Sequence, residues 1–143
     1  MAIYSLSQRT TSGTAATPAW EVRSTSANKP AVMELGITNV AATASVFGVG
    51  RPAAIGVTPT SPQTFLDEQD ANGGTGATTS CVAWGTPPTV PTNFFRRVAL
   101  PATIGAGVIW TFPRGLRIAL SNSIVLWVIA TASVVDVYAA VDE

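Results

Sequence analysis

The chain has 143 residues, of which only 11% are charged, eight basic against eight acidic, with no histidine and a single cysteine. The length is that of one domain, which hides roughly two-thirds of its unfolded surface, and the balanced charge offers no net field toward a phosphate backbone or an anionic membrane. The missing histidine removes the general base of serine and cysteine hydrolases, and a lone Cys81 excludes an internal disulfide and a Cys/His zinc cluster.

Apolar runs are short, β-branched or aromatic, and punctuated by Gly, Pro, Asn, Ser and Thr, the spacing of an all-β fold with about ten strands and no helix. The N-terminal Met1-Ala2-Ile3-Tyr4 lacks the basic and apolar regions of a signal peptide, so the expected starting compartment is a cytoplasm. A first strand is predicted over 3–7. The polar stretch from Gln8 to Pro18 is expected to be an arm, giving residues 1–18 as N-terminal strand and arm and 19–143 as the domain proper. Over 20–24, Trp20 and Val22 alternate with Glu21 and Arg23 as in a half-buried strand. Over 31–39, Met33, Leu35 and Ile37 oppose Glu34, Gly36 and Thr38. A strand over 44–49 follows.

From Arg51 to Pro91 the chain is rich in Pro and Gly and reads as long loops, with short strands only at 63–66 and 80–84. Cys81 reads there as a small buried hydrophobe. The C-terminal third carries the strongest pattern, with strands at 94–100, 108–112, 116–120, 123–129 and 134–141 and a corner at Ser121-Asn122. In 123–129 both faces are apolar, which requires cover on two sides from a second sheet or another subunit. The run from Ile124 to Val141 has the length of a membrane span, but β-branched residues, Ser133 and Asp136 make it read as two strands.

Few residues suggest chemistry. Asp67-Glu68-Gln69-Asp70 offers paired carboxylates, and Glu68-x-Asp70-x-Asn72-Gly73 resembles the opening of a calcium loop. The position of that loop's bidentate Glu is Thr79, so a solvated acidic turn is the better reading, and no metal, cofactor or catalytic residue is assigned. Gly48-x-Gly50 and Gly105-x-Gly107 lack the remaining glycines of a phosphate loop. Arg96-Arg97 follows Phe94-Phe95, but successive strand residues face opposite ways, so no nucleic-acid patch is inferred. Arginine and tryptophan dominate interface hot spots, and Arg96, Arg97, Trp110, Arg114 and Arg117 are the candidate interface residues.

The segments Trp110-Thr111-Phe112-Pro113-Arg114-Gly115-Leu116-Arg117-Ile118, Ser123 to Trp127 and Val135-Asp136-Val137-Tyr138 resemble the ending of small virion proteins of tailed phages, including capsid cement or decoration proteins. Arg51 to Val57 and Tyr4 to Ser7 add weaker similarity. The resemblance implies an antiparallel, jelly-roll-like β-sandwich that oligomerises as a homotrimer, binds the major capsid protein and staples neighbouring capsid subunits in the virion, without enzymatic activity. A tail, head-fibre or baseplate component is the nearest alternative. A carbohydrate-binding β-sandwich using exposed tryptophans is the alternative from another class.

Overall fold

The computed structural model describes residues 2–11, 13–68, 72–131 and 133–143. Its strands are β1 (Ile3–Arg9), β2 (Pro18–Arg23), β3 (Ala31–Asn39), β4 (Ser45–Gly50), β5 (Val57–Pro59), β6 (Gln63–Asp67), β7 (Thr75–Cys81), β8 (Trp84–Thr86), β9 (Arg96–Leu100), β10 (Gly107–Arg117), β11 (Ser123–Ala130) and β12 (Val135–Asp142). Ten form one antiparallel sheet in the order β10-β3-β12-β1-β6-β7-β2-β11-β4-β9, nearly closed into a barrel, while β5 and β8 pair separately. No helix occurs among the described residues. The all-β antiparallel reading holds, and a sandwich is compatible with this arrangement.

Side-chain alternation builds the interior. On β12, Val135, Val137, Ala139 and Val141 are buried while the residues between them are half-exposed. The inward set packs with Trp20, Leu35, Ile37, Phe47, Phe65, Trp110 and Leu126 in one cluster. Burying each large aliphatic side chain contributes about 1.5–3 kcal/mol. On β3 the register against β12 slips between Glu34 and Val32, so Val32 rather than Met33 joins the core.

Strand β11 is buried on both faces, as its sequence requires. Its inner residues Ile124, Leu126 and Val128 join the core. The outward Val125 and Trp127 are wholly buried by the chain itself. Trp127 lies opposite Gly48 and Val125 opposite Gly50. Phe94 stands against both glycines, and Pro91 against Gly50. Nearby, Gly56 touches Trp84 and Pro88, and Arg23 donates to the Gly56 carbonyl at 2.6 Å. The Pro/Gly-rich stretch thus forms a second layer over β2, β11 and β4. Because the side chains at 48, 50 and 56 are hydrogen, the layer can sit close to the sheet.

Several strand boundaries differ from the sequence reading. The strands expected at 108–112 and 116–120 are one strand, β10, carried past Pro113 by an irregularity between Thr111 and Leu116 with Gly115 at φ 65°. Proline is tolerated because it falls inside that irregularity, where β10 has no residue-for-residue partner on β3, on a strand that ends the sheet. The strand expected at 80–84 divides into the end of β7 and the start of β8, and β5 lies inside the stretch expected to be loop.

The segment resembling a membrane span is β11 and most of β12, and no helix among the described residues is long and apolar enough to cross a membrane. β1 is paired on both sides, to β12 and β6. In the stretch expected as an arm, Gln8 and Arg9 belong to β1, buried Thr10 bonds Val135, and Pro18 opens β2. The last residue is tied in as well: the Glu143 carboxylate accepts hydrogen bonds from the Ala77 and Thr78 amides and from Asn28.

Candidate functional site

The sheet has two ends, β9 and β10, which approach each other across the one unpaired seam among the described strands. Each pairs on one side only, β9 with β4 and β10 with β3, so each leaves a row of backbone donors and acceptors unclaimed by the sheet. The five residues singled out as interface candidates all lie on these two strands, Arg96 and Arg97 on β9 and Trp110, Arg114 and Arg117 on β10. All four arginines are exposed. Trp110 is 8% exposed, faces inward opposite Leu35 and anchors its strand to the core rather than offering a contact.

Aromatic rings hold the arginines in place. The Arg96 guanidinium lies 5.7 Å from the Phe112 ring centre, so it spans the seam, while Arg97 lies 6.0 Å from Phe94. Each such cation–ring contact contributes about 0.5–1 kcal/mol at an exposed site. Arg51, which sequence reasoning missed, stacks 5.0 Å from Phe95 and donates to the Arg117 carbonyl at 2.8 Å, a second lace across the gap. Exposed apolar groups lie on the same strands and the segments next to them: Phe95 is 36% exposed, Ile104 68% and Ile109 60%, the last beside Gly36 and, beyond it, Tyr138. A surface of arginine, exposed aliphatic side chains and unpaired backbone can receive an extended segment or a carboxylate-bearing protein face.

The acids lie mostly on the adjoining strands, Glu34 of β3 opposite Thr111 of β10 and Asp142 of β12 in register with Ala31 and, beyond it, Arg117. No Asp or Glu occurs between Asp70 and Asp136, a span that contains Arg96, Arg97, Arg114 and Arg117. Together with Arg51 these make five of the eight basic residues. Glu34 on β3 and Glu68 after β6 flank the outward Tyr138 of β12, whose hydroxyl donates to Glu34 at 2.5 Å. Burial, that hydrogen bond and the two carboxylates push the Tyr138 phenol up to about 12. Asp142 lies on the same face of β12, two and four residues from Ala140 and Tyr138. On that face Asp136 is engaged by Arg9 through two hydrogen bonds of 2.7 and 2.9 Å, which hold its carboxyl below the usual range. Arginines thus gather along the sheet ends and carboxylates over β3, β12 and β6, and the two sets meet where Lys29 and Arg117 share a depression with Asp142 and Glu143. The long acid-free run between Asp70 and Asp136 is the sequence signal that could have found this gathering of arginines.

Other titratable groups serve the fold. Glu21 on β2 is wholly buried beneath the second layer, paired with Arg23 at 2.8 Å and accepting from the Cys81 thiol at 3.3 Å. Burial, with Glu21 beside it, pushes the Cys81 thiol far up, which keeps it protonated and unreactive. The acidic loop places Asp67 against Gly73. Gln69, Asp70 and Ala71 lie outside the described residues, so the paired-carboxylate and calcium readings fall there. No group of three or more potential metal ligands occurs among the described residues. The chain matches no protein-family model, no curated protein and no solved structure.

Proposed function

We propose that the protein is a non-enzymatic structural subunit that packs against other polypeptides through the arginine-lined ends of its sheet. Within that class the reading is a virion component of a tailed phage, assembled in the host cytoplasm. Its role is that of a capsid cement or decoration protein lodged between subunits of the major capsid protein. The observation that carries the proposal is the seam itself: two strand edges with unclaimed backbone, four exposed arginines and exposed Ile104 and Ile109. Soluble proteins normally blunt or cover such edges, and a permanent neighbour is one way to cover them.

Affinity would come from apolar area and charge-assisted contacts, each modest alone and summed over many repeated sites on a shell. A tail, head-fibre or baseplate position uses the same surface, and a particle reconstruction separates these from the head. A sugar platform draws less support, since Trp20, Trp110 and Trp127 are buried and only Trp84 is half-exposed. Cosedimentation of the purified protein with tailed-phage heads, before and after shell expansion, tests the proposal. Saturable binding to expanded heads is expected. Lack of binding to either form, with no copies located in particles, contradicts it.

A further inference from the structure

We infer that the arginine-lined sheet ends of one copy dock on the carboxylate-bearing outer face of β3, β12, β1 and β6 of a second copy, so that the subunits associate head to tail. The inference rests on the reading of the protein as a packing subunit and names its first partner as itself.

The two surfaces are complementary in charge and different in kind. One carries Arg51, Arg96, Arg97 and Arg114 with no acid on β4, β9 or β10. The other carries Glu34 and Glu68, with Asp142 at its rim beside Arg117 and Lys29, and its one base on β1, Arg9, is already engaged by Asp136. The acidic face is also shaped to receive a neighbour. Registers across it bring Ser5 beside Ala140 and Leu66, so the side chains flanking Leu66 are small, while the Tyr138 ring lies over Gly36. Leu66 stands out of it, 57% exposed, as an apolar counterpart for the aliphatic groups near the seam.

Two arginine edges repel, as do two acidic faces, so a symmetric contact of either patch with itself is disfavoured and the unlike patches pair. A contact between unlike patches leaves one of each free on every dimer, and growth continues until a ring closes. A standard contact hides about 800 Å² per partner, close to an eighth of the 6896 Å² that the chain exposes.

The test is sedimentation of the full chain from micromolar to sub-millimolar concentration at low and high salt. It compares wild type, the R96E/R97E variant, the E34K/E68K variant and an equimolar mixture of the two, with thermal melting as the check that each is folded. Wild type is expected to assemble beyond the dimer, with affinity falling roughly tenfold or more as salt is raised through the screening range. Each variant alone is expected to remain monomeric, and the mixture to associate, because each then offers the charge that the other lost.

A wild type that stays monomeric throughout, folded variants that assemble as wild type does, or an equimolar mixture of folded variants that stays monomeric would each overturn the inference. A parallel titration with a single-stranded oligonucleotide serves the rival partner. Tight, salt-sensitive binding of it by monomeric wild type would assign the arginines to nucleic acid. Head binding by a protein that never self-associates would remove this inference and leave the subunit reading standing; self-association without any place in a particle would do the reverse.

Discussion

Tyr138 on β12 lies opposite Gly36 on β3, and its ring fills the space that a side chain at position 36 would need: a Cβ there would fall 2.0 Å from the ring Cε1. The glycine and the phenol are thus one unit of the acidic face. Gly36→Ala must swing the ring away and with it the hydrogen bond to Glu34. The expected loss is about 1–3 kcal/mol in a urea titration. Tyr138→Ala in the same background should recover part of it, whereas additive losses would show that the two positions are uncoupled.

The same phenol sets an alkaline limit. Burial, then the bond to Glu34, raises its pKa to about 12 in the folded chain, against about 10 in an unfolded one. The folded state therefore holds this proton longer, so the contribution is complete below about pH 10 and is lost as pH rises toward 12. Denaturation midpoints measured across that window should fall with pH in wild type and fall less steeply in Tyr138→Phe. Identical slopes would mean that the hydroxyl is not held as described.

Glu21 and Arg23 form the pair most sensitive to losing a member. Glu21 is fully buried, and its Oε2 has no hydrogen-bond partner among the described residues. Arg23→Ala strands that carboxylate and should cost about 3–5 kcal/mol, while replacing both residues with leucine should cost much less, because no charge is then left buried. Thermal melts of the single and double variants distinguish the two cases. Equal losses would place the stabilisation in packing.

Gln8 ties the start of the chain to the interior. Its Oε1 accepts from the Trp20 indole at 2.8 Å and from the Ser80 hydroxyl at 2.6 Å, joining β1, β2 and β7. Gln8→Leu leaves both donors unpaired and should cost about 1–3 kcal/mol for each. Its effect is read from the urea midpoint, and a neutral substitution would mean that this end of β1 is only loosely held.

Strands with β-branched or aromatic alternation, such as β3, β11 and β12, were legible from residue pattern because their period of two matches the burial that the sheet imposes. β7 was read short because Thr75, Gly76, Ala77, Thr78 and Thr79 carry no apolar alternation, and its start is fixed instead by neighbours on β6 and by Glu143. β10 was read as two strands because Pro113-Arg114-Gly115 is a turn motif in isolation, and only its place at the end of the sheet lets the chain run through. The arginines were legible as residue types suited to interfaces. That they gather at one seam, laced by Phe112, Phe94 and Phe95, depends on which strands end the sheet, a tertiary fact that no local spacing encodes.

Backbone amide hydrogen exchange, followed across a protein concentration series, addresses the claim that the sheet ends are covered by another subunit. In dilute protein the outward amides of β9 and β10 should exchange quickly while those of β11 stay protected, since β11 is bonded to β2 and β4 on its two sides. As concentration rises, protection is expected to appear on β9, β10 and the face around Leu66 and Tyr138, and nowhere on β11 beyond its starting level. Exchange at the seam that stays fast at every concentration, in a chain that remains folded, would contradict the claim that copies of the chain cover one another's sheet ends.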